Sequence, residues 1–314
     1  MSFTGDIKQE IANYDLKKHC QKAQLSALLL LTSSITLGSS SFGLAIRSEN
    51  PTTAKRIVYL LKELFAVDTN LEVNKKTNLK KNNVYRIRIK DRGQEILEEL
   101  GLYSNKGINN YPRHEIITRN CCASSYLAGL FLAYGSCNSP LNNNYHLEIT
   151  LNSLEHANFA TKVISRFDIK AKIVKRRNRY IIYMKKADYI SNFLALIGAH
   201  DSMMRFEDER IGRDLKNSIS RIDNCEIANE VKTFKAAQKQ LANIQLIKDN
   251  GEYDKLNDKL KNVIDIRLKH QDYSLLELCD AYQKSYGELI SKSGMKHRLN
   301  KIEKIASEIG VKNG

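Results

Sequence analysis

The hydrophobic and polar positions in the first two thirds of the chain form a pattern that occurs twice. Apolar residues at helical spacing fill Leu25–Ser34 and, 102 positions later, Leu127–Ser136. Both segments have small residues at their second and third places, which lets two helices approach closely. Strand and helix patterns then follow in the same order in both copies. Each copy therefore predicts αββαββα, and a repeat near 100 residues indicates a duplicated half-domain, because solenoid repeats are shorter.

The two copies predict equivalent elements in equivalent places. In the first copy we expect a strand at Gly43–Arg47, a helix at Pro51–Val67, strands at Leu71–Val73 and Val84–Ile89, and a helix at Gln94–Leu100. In the second copy the corresponding elements are expected at His146–Thr150, Leu154–Phe167, Ala171–Val174, Tyr180–Lys185 and Ala187–Ile197. We therefore predict one domain over 1–199, with its copies at about 1–110 and 111–199.

The last third of the chain shows only the helical period. Residues 200–223 are charged and helical in character, and we interpret them as a linker. A domain over 224–314 follows, with helices expected at Asn224–Ile247, Leu256–Leu268 and Tyr273–Tyr282, and a last one after Ser291. The first of these helices carries one apolar stripe, formed by Ile227, Val231, Phe234, Ala237, Leu241 and Ile244. About 90 residues of this kind are enough to fold alone.

Two short amphipathic helices in tandem come near the end of the sequence. Ser274 and Ser291 are good N-caps for them. The residues expected in their core are Leu275, Leu278, Leu289, Met295, Leu299 and Ile302. The remaining positions of the second helix are mostly lysine, arginine and histidine. A short helix followed by an exposed basic helix predicts a helix-turn-helix that presents a recognition helix to DNA. The alternative is a solvated basic face.

Charge favours a polyanionic partner. The chain has 50 Lys and Arg against 35 Asp and Glu, a formal net charge of +15, so nucleic acid is the leading candidate and an anionic membrane a weaker one. The two predicted hairpins carry basic residues at equivalent places. We call this set the basic saddle: Lys75, Lys80, Arg86, Arg88, Lys175, Arg176, Arg177 and Arg179. Two such hairpins related by pseudo-symmetry would span about the width of a duplex; the alternative is solvated lysine and arginine that protect edge strands.

Other features limit the possible chemistry. The six cysteines include no CxxC pair, which is typical of reduced thiols and not of a disulfide framework or a zinc site. His19-Cys20 is expected to pack at a helix start, and Cys121-Cys122 to be buried. The chain has no P-loop, no GxGxxG and no HExxH, so we expect no cofactor and no metal. No apolar run reaches the length of a membrane span, and the start has no apolar signal region, so we expect a cytoplasmic protein without a membrane partner.

The segment Leu127–Ser136, Leu-Ala-Gly-Leu-Phe-Leu-Ala-Tyr-Gly-Ser, resembles the LAGLIDADG motif of homing endonucleases. Essentially the whole chain is similar to the bacterial WhiA family, most clearly at Leu25–Leu28, Arg119–Cys122, Asn224–Asn229 and Leu289–Leu299. The resemblance implies an α+β fold, with a duplicated LAGLIDADG-like αββαββα domain followed by an all-α helix-turn-helix domain. It also implies a sequence-specific DNA-binding transcription regulator of cell-division or sporulation programmes, located with the nucleoid.

The resemblance to nucleases does not extend to their catalytic residues. In those enzymes the eighth position of each motif is acidic, and the two acids hold divalent metal over the scissile phosphates. Here the eighth positions are Thr32 and Tyr134, and neither is an anionic oxygen ligand. We therefore expect no enzyme activity. An active endonuclease stays as an alternative, as does an adaptor that uses the basic saddle to bind acidic proteins or RNA.

The recognition helix supplies the candidate DNA contacts. Lys292, Ser293, Lys296 and His297 are expected to reach base edges, Arg298 and Lys301 to reach bases or phosphates, and Lys304 to reach phosphate. Ser274 and Arg267 are weaker candidates for contact with the DNA backbone. The expected partner is double-stranded DNA at promoter sites. Other transcription regulators or the transcription machinery are further candidate partners.

Overall fold

The computed structural model describes residues 2–37, 42–75, 83–105, 107–142 and 144–312. The chain divides into two compact units, Met1–Arg213 and Asp214–Gly314. The first unit is a mixture of helices and antiparallel sheets, and the second is helical. This is the predicted combination of an α+β domain and an all-α domain.

The first unit contains the predicted αββαββα order twice. The first copy has α2 (Lys18–Thr32), β1 (Ser33–Leu37), β2 (Phe42–Ser48), α3 (Pro51–Phe65), β3 (Asn70–Lys75), β4 (Asn83–Ile89) and α4 (Gly93–Glu99). The second has α5 (Asn120–Tyr134), β7 (Gly135–Cys137), β8 (Leu147–Leu151), α6 (Leu154–Ser165), β9 (Lys172–Arg176), β10 (Arg179–Met184) and α7 (Ala187–Leu196). Helix α1 (Phe3–Asn13) precedes the first copy. A small hairpin of β5 (Tyr103–Ser104) and β6 (Gly107–Ile108) and a 3-10 turn (His114–Ile117) lie between the first copy and the second.

The sheets of the two copies have the same topology. Their strand orders are β1-β2-β4-β3 and β7-β8-β10-β9, and every neighbouring pair is antiparallel. Opposite residues in an antiparallel pair point to the same face. In the first sheet the inner face carries the pairs Leu44–Ile89 and Ile46–Ile87, whose side chains are buried against the helices. The opposite face of the first sheet carries Arg47, Arg86 and Arg88.

Helices α2 and α5 form the centre of the first unit. A Cβ added at Gly129 would lie 2.5 Å from the carbonyl oxygen of Gln24 and 2.8 Å from Cβ of Ala27. Real Cβ atoms do not approach so closely, so glycine at this third motif position allows the two backbones to meet. The predicted role of small residues in helix approach is therefore confirmed by the geometry at this position.

Each LAGLIDADG-like helix ends two residues earlier than the apolar pattern suggested. Ser33 and Gly135 have extended backbones and begin β1 and β7. A side chain at Gly135 would meet the Phe131 ring, with a Cβ only 2.3 Å from Cδ2. The eighth motif positions, Thr32 and Tyr134, are therefore the last residues of the two helices.

The helix that begins at His200 is longer than predicted. Residues 200–223, predicted as a linker, belong to one continuous helix, α8 (His200–Asp249), with the segment that was expected to form a separate helix. Within the second unit its apolar stripe is only partly buried. Ala237 and Ile244 lie in the core, whereas Ile227, Val231 and Phe234 are exposed. The helical period was therefore correct, and only the second half of the stripe contributes to the core of the second unit.

The second unit is completed by α9 (Asp258–Lys269), α10 (Leu275–Tyr286) and α11 (Lys292–Lys312). Its core contains Leu278, Met295, Leu299 and Ile302, as predicted. Leu275 is only partly buried. Leu289 was predicted in the core but is 80% exposed, and the adjacent Ile290 packs against the core instead. The segment between α10 and α11 is not helical, so helical spacing could not assign the inward residue there.

Candidate nucleic-acid interface

The ends of α10 and α11 are defined by side-chain caps and a glycine. Ser274 and Glu277 form a reciprocal capping box at the start of α10. Gly287 ends this helix in the left-handed conformation, with φ of 71°. The Ser291 hydroxyl then accepts a hydrogen bond from the Gly294 amide, 3.1 Å away, and caps α11. These local signals fix a short helix, a turn and a second helix, as the sequence predicted.

Six of the predicted contact residues lie on the solvent face of α11. Met295, Leu299 and Ile302 occupy the opposite, buried face. The exposed residues, which we call the recognition face, are Lys292, Ser293, Lys296, His297, Lys301 and Lys304. Four of them fall within the first two turns, which is the part of a recognition helix that reaches base edges in helix-turn-helix proteins.

The positive charge of the recognition face is not neutralised locally. Glu303 lies between Lys301 and Lys304 in the sequence of α11. Its Oε1 lies 2.5 Å from Nζ of Lys239 on α8, so it is already paired. Among the described residues no ion pair involves Lys292, Lys296, Lys301 or Lys304. The four ammonium groups are therefore available to an external anion.

Arg298 has different surroundings from the other predicted contacts. Its side chain is only 17% exposed. Nη1 donates to the Tyr282 hydroxyl at 2.7 Å, Nη2 lies 3.4 Å from Oε1 of Glu288, and the guanidinium lies over the Tyr282 ring. These contacts join α11 to α10 and hold the recognition face in orientation.

Arg267 cannot meet the DNA backbone, contrary to the weaker sequence prediction. It is only 2% exposed, and its Nη1 donates to the carbonyl oxygen of Tyr273 at 2.7 Å and lies 3.4 Å from those of His270 and Gln271. The guanidinium instead donates to carbonyl groups of the segment between α9 and α10, because these groups are not hydrogen-bonded within a helix. Ser274 is partly exposed, but its hydroxyl oxygen already accepts the capping hydrogen bond.

The outer face of the first sheet carries an arginine cluster. Arg47 pairs with Arg86 across β2 and β4, and Arg88 is one position further along the same face. These side chains border a groove of about 660 Å³, which we call the sheet-face groove and which also contacts Thr32 and Tyr134. None of the described residues lining it is acidic. Two carboxylates lie beside it, with Glu72 3.5 Å from Arg88 and Glu49 3.8 Å from Arg47.

The second hairpin places its basic residues at its tip. Arg176 and Arg179 face each other at the ends of β9 and β10, and Arg177 occupies the turn with φ of 54°. Lys175 pairs with Tyr180 and lies over its ring. Arg179 lies over the ring of Tyr134, with 5.8 Å from Cζ to the centroid. In the first hairpin Arg86 and Arg88 are exposed, whereas the Lys75 side chain and all of Lys80 lie outside the described residues.

The helix ends that carry catalytic acids in homing endonucleases are occupied by uncharged side chains. The Thr32 hydroxyl donates to the Leu28 carbonyl oxygen of its own helix, 2.7 Å away. Tyr134 is partly exposed and contacts Arg179. A hydroxyl that is bonded to its helix and a phenol do not form the carboxylate pair that would hold a hard divalent cation.

At the opposite ends of the same two helices, four side chains with soft ligand atoms meet. His19, Cys20, Cys121 and Cys122 bring their ligand atoms within 4.8 Å of one another, and we call them the Cys3His cluster. Cys122 is buried as predicted, but Cys121 is exposed. Burial, together with the neighbouring thiols, raises the pKa of Cys122 to about 12. CxxC spacing detects only ligands that are close in sequence, so the sequence did not predict this cluster.

Together the duplicated sheet domain and the capped helix pair define a LAGLIDADG-like domain joined to a helix-turn-helix domain. Family models agree: the WhiA N-terminal LAGLIDADG-like domain matches 18–103, the WhiA LAGLIDADG-like domain matches 123–216, and the WhiA C-terminal HTH domain matches 219–306. The chain belongs to the WhiA family. The predicted family and fold class are therefore confirmed.

Relatives match over nearly the full length. The chain is 42% identical over 311 residues to the "Probable cell division protein WhiA" of Bacillus cereus, covering 98% of this chain and 97% of that protein. It is 41% identical over 315 residues to the protein of the same name from Oceanobacillus iheyensis, covering 98% of both. The crystal structure of full-length WhiA from Thermotoga maritima aligns over 98% of this chain and 99% of that one, with 24% identity and a TM-score of 0.60, and supports the fold. Within the described residues no helix is long and apolar enough to cross a bilayer.

Proposed function

We propose that the protein is a sequence-specific DNA-binding transcription regulator connected with cell division or sporulation, acting at promoter sites in the cytoplasm. The observation that carries the proposal is the recognition face of α11. It is exposed, it is not neutralised by a local ion pair among the described residues, and it belongs to a helix-turn-helix whose caps and core fix its position. The helix-turn-helix family match and the name of the relatives support this function.

We assign base-edge contacts to Lys292, Ser293, Lys296 and His297, and phosphate contacts to Lys301 and Lys304. The first four lie in the first two turns, where side chains enter the major groove, and the last two lie further along the same face. Lysine can donate to the guanine O6 and N7 atoms, and a correct contact discriminates by about 1–3 kcal/mol against a wrong base. We assign Arg298 a supporting role, since it already contacts Tyr282 and Glu288.

The basic saddle is a second candidate surface for the same duplex or for another nucleic acid. The sheet-face groove favours this, because it combines exposed arginines with a lining that contains no described acidic residue. We propose that these arginines contact phosphates and add affinity for the duplex. We propose binding there without cleavage, since Thr32 and Tyr134 replace the carboxylates.

Selection of bound duplexes from a random library tests the proposal. The full-length wild type is compared with Lys296→Ala/His297→Ala, with magnesium present. We expect wild type to enrich one motif and leave the DNA intact, and we expect the double variant to lose the enrichment. The matched control is Lys259→Ala, which removes an exposed lysine from α9 and should enrich the wild-type motif.

Two results would contradict the recognition-helix assignment. One is the same motif with the same enrichment from the double variant, and the other is wild-type binding that is uniform across sequences. Uniform binding would move the function to the basic saddle and favour an adaptor that binds nucleic acid non-specifically. Strand cleavage that requires magnesium would establish the nuclease alternative.

A further inference from the structure

The Cys3His cluster joins the first turns of the two central helices. His19 and Cys20 lie in the first turn of α2, and Cys121 and Cys122 lie in the first turn of α5. Nδ1 of His19 is 3.2 Å from Sγ of Cys122 and 3.3 Å from Sγ of Cys20. All four ligand atoms lie within 4.8 Å of one another. One small volume therefore receives an imidazole nitrogen and three sulfurs.

The arrangement follows from the internal duplication. His19 and Cys121 are 102 positions apart, as are Cys20 and Cys122, which is also the spacing of the two LAGLIDADG-like segments. The pairs are therefore equivalent positions of the two copies, brought together where the helices begin. Thr32 and Tyr134 mark the other ends of the same helices. Each copy supplies half of a ligand set that neither could complete alone.

The separations fit a tetrahedral zinc site. With Zn–S near 2.3 Å and Zn–N near 2.0–2.1 Å, neighbouring ligand atoms of a regular tetrahedron are about 3.5–3.8 Å apart. The distances from Nδ1 of His19 to the sulfurs of Cys20 and Cys122 are slightly shorter than this, and the largest separation between ligand atoms in the cluster is about 1 Å longer. An ion at the centre of the cluster would draw the most distant pair of ligand atoms about 1 Å closer together.

We propose that His19, Cys20, Cys121 and Cys122 bind one Zn²⁺ ion through a Cys3His ligand set. Three thiolates and one imidazole in tetrahedral geometry select zinc over hard cations such as magnesium, which prefer oxygen ligands. Four protein ligands leave no position for water or substrate, so the site is structural. The ion crosslinks the two copies of the repeat at the start of their central helices.

Two features of the surroundings suit such an ion. Three thiolates around Zn²⁺ give the complex a net negative charge, and it lies at the N-terminal ends of α2 and α5, where the helix dipoles favour negative charge. An open cleft of about 520 Å³ reaches His19, Cys20 and Cys121, and it is also lined by Arg119 and Ser124. The cleft gives a metal ion a path to the cluster from solvent.

Metal content measured on the full-length protein tests the proposal. The protein is kept reduced with a phosphine, equilibrated with excess zinc, desalted, and analysed for zinc per chain. We expect one zinc per chain in wild type and a loss of most of it in Cys121→Ser and Cys122→Ser. Cys121 is exposed, so its replacement should not disturb packing. The matched controls are Cys225→Ser for an exposed thiol and Cys137→Ser for a buried one, and both should keep the zinc.

Cobalt substitution gives an independent readout of the ligand set. We expect Co²⁺-loaded wild type to show a thiolate-to-cobalt charge-transfer band and the strong visible bands of a tetrahedral site. The charge-transfer band should weaken in Cys20→Ser, and it should persist with shifted visible bands in His19→Asp, which keeps a ligand atom. We also expect zinc to raise the melting temperature of wild type and leave that of Cys121→Ser unchanged.

The proposal is overturned if reduced wild type retains no more zinc than Cys121→Ser. It is also overturned if zinc is retained equally by every cysteine variant, since the metal would then lie elsewhere. A disulfide within the cluster, seen by mass in the absence of reductant and combined with no zinc binding by the reduced protein, would assign a redox pair in place of a metal site.

Discussion

The two positively charged surfaces of this protein are supported in different ways. The sheet that carries Arg86 and Arg88 packs on α2, α3 and α4, and the backbone of α2 meets that of α5 at Gly129. The recognition face rests on side-chain contacts, in which Arg298 joins α11 to α10 and Arg267 satisfies the carbonyl groups between α9 and α10. In the first case the support is close helix packing. In the second it is a set of hydrogen bonds from arginine.

The comparison shows that residue type alone does not identify a nucleic-acid contact. On the first sheet the arginines point outward, with carboxylates 3.5 Å and 3.8 Å away. In the second unit Arg267 and Arg298 point inward, and lysines form the exposed face. The planar guanidinium, with five donors in a fixed fork, matches several fixed acceptors at once, whereas a lysine ammonium is easily left solvated. Net charge predicted a polyanion partner but could not separate these roles.

The largest loss of stability is expected from Arg267→Ala. The change removes a buried guanidinium and leaves the Tyr273 carbonyl oxygen without its 2.7 Å donor, so we expect a loss of about 3 kcal/mol in the free energy of unfolding of the second unit. Hydrogen exchange of the α9 and α10 amides in the full-length protein measures this loss locally.

Arg267→Lys is the matched variant, because it keeps the charge but not the fork of donors. We expect it to recover only part of the protection. Amide protection equal to wild type in Arg267→Ala, combined with weaker DNA binding, would show that the arginine contacts DNA as the sequence suggested. The contrast between inward arginines and outward lysines would then fail.

The support of the first surface is tested by Gly129→Ala. The new Cβ would lie 2.5 Å from the Gln24 carbonyl oxygen, so α2 and α5 must separate, and we expect a loss of about 2 kcal/mol in the stability of the first unit. Gly212→Ala is the matched control, since nothing lies within 4 Å of its Cβ position on α8. Alanine there should be neutral or stabilising by up to about 1 kcal/mol, because it favours helix. Equal denaturation midpoints for the two variants would contradict close helix packing.

The periodic elements were the part of the fold that sequence could predict. Helical spacing and strand alternation gave the αββαββα order, because both patterns depend on neighbours within a few residues. They did not locate β1 and β7, since the apolar pattern of the preceding helix continues to Ser34 and Ser136. Leu289 shows where this reasoning fails. It lies between helices, where no period assigns an inward position, and it is exposed while Ile290 packs against the core. The exposed Ile227 and Phe234 show the same limit. Periodicity identifies the apolar face of a helix, but it does not show whether another element packs against that face.

The recognition face could be predicted because one helix supplies all of its residues. The Cys3His cluster could not, because its halves are 102 positions apart and only the packing of α2 against α5 brings them together. The role of Arg298 needed the structure for a similar reason. Its partner hydroxyl, on Tyr282, is 16 positions away on another helix.

A smaller effect on stability is expected from Arg298→Ala. Loss of the hydrogen bond to Tyr282 should cost about 1 kcal/mol in the second unit. Since the side chain faces α10, we expect the enriched DNA motif to be unchanged in sequence even if affinity falls. Tyr282→Phe removes the acceptor hydroxyl but keeps the ring, and it should reproduce most of the loss. Relaxed preference at one base position in Arg298→Ala alone would instead assign it a base contact.

The smallest effect is expected on DNA affinity, from the double variant Arg86→Ala/Arg88→Ala on the first surface. If these arginines contact phosphates, their removal should weaken binding to all duplexes by a similar factor and reduce the slope of log affinity against log salt by about 2. The preference for the selected motif should not change, because the recognition face is intact. Lys55→Ala/Lys62→Ala removes the same charge from exposed positions of α3 and is the matched control. An equal change of slope in both double variants would mean that the sheet arginines act only through net charge, and the recognition face would then be the one surface for which a direct DNA contact is supported.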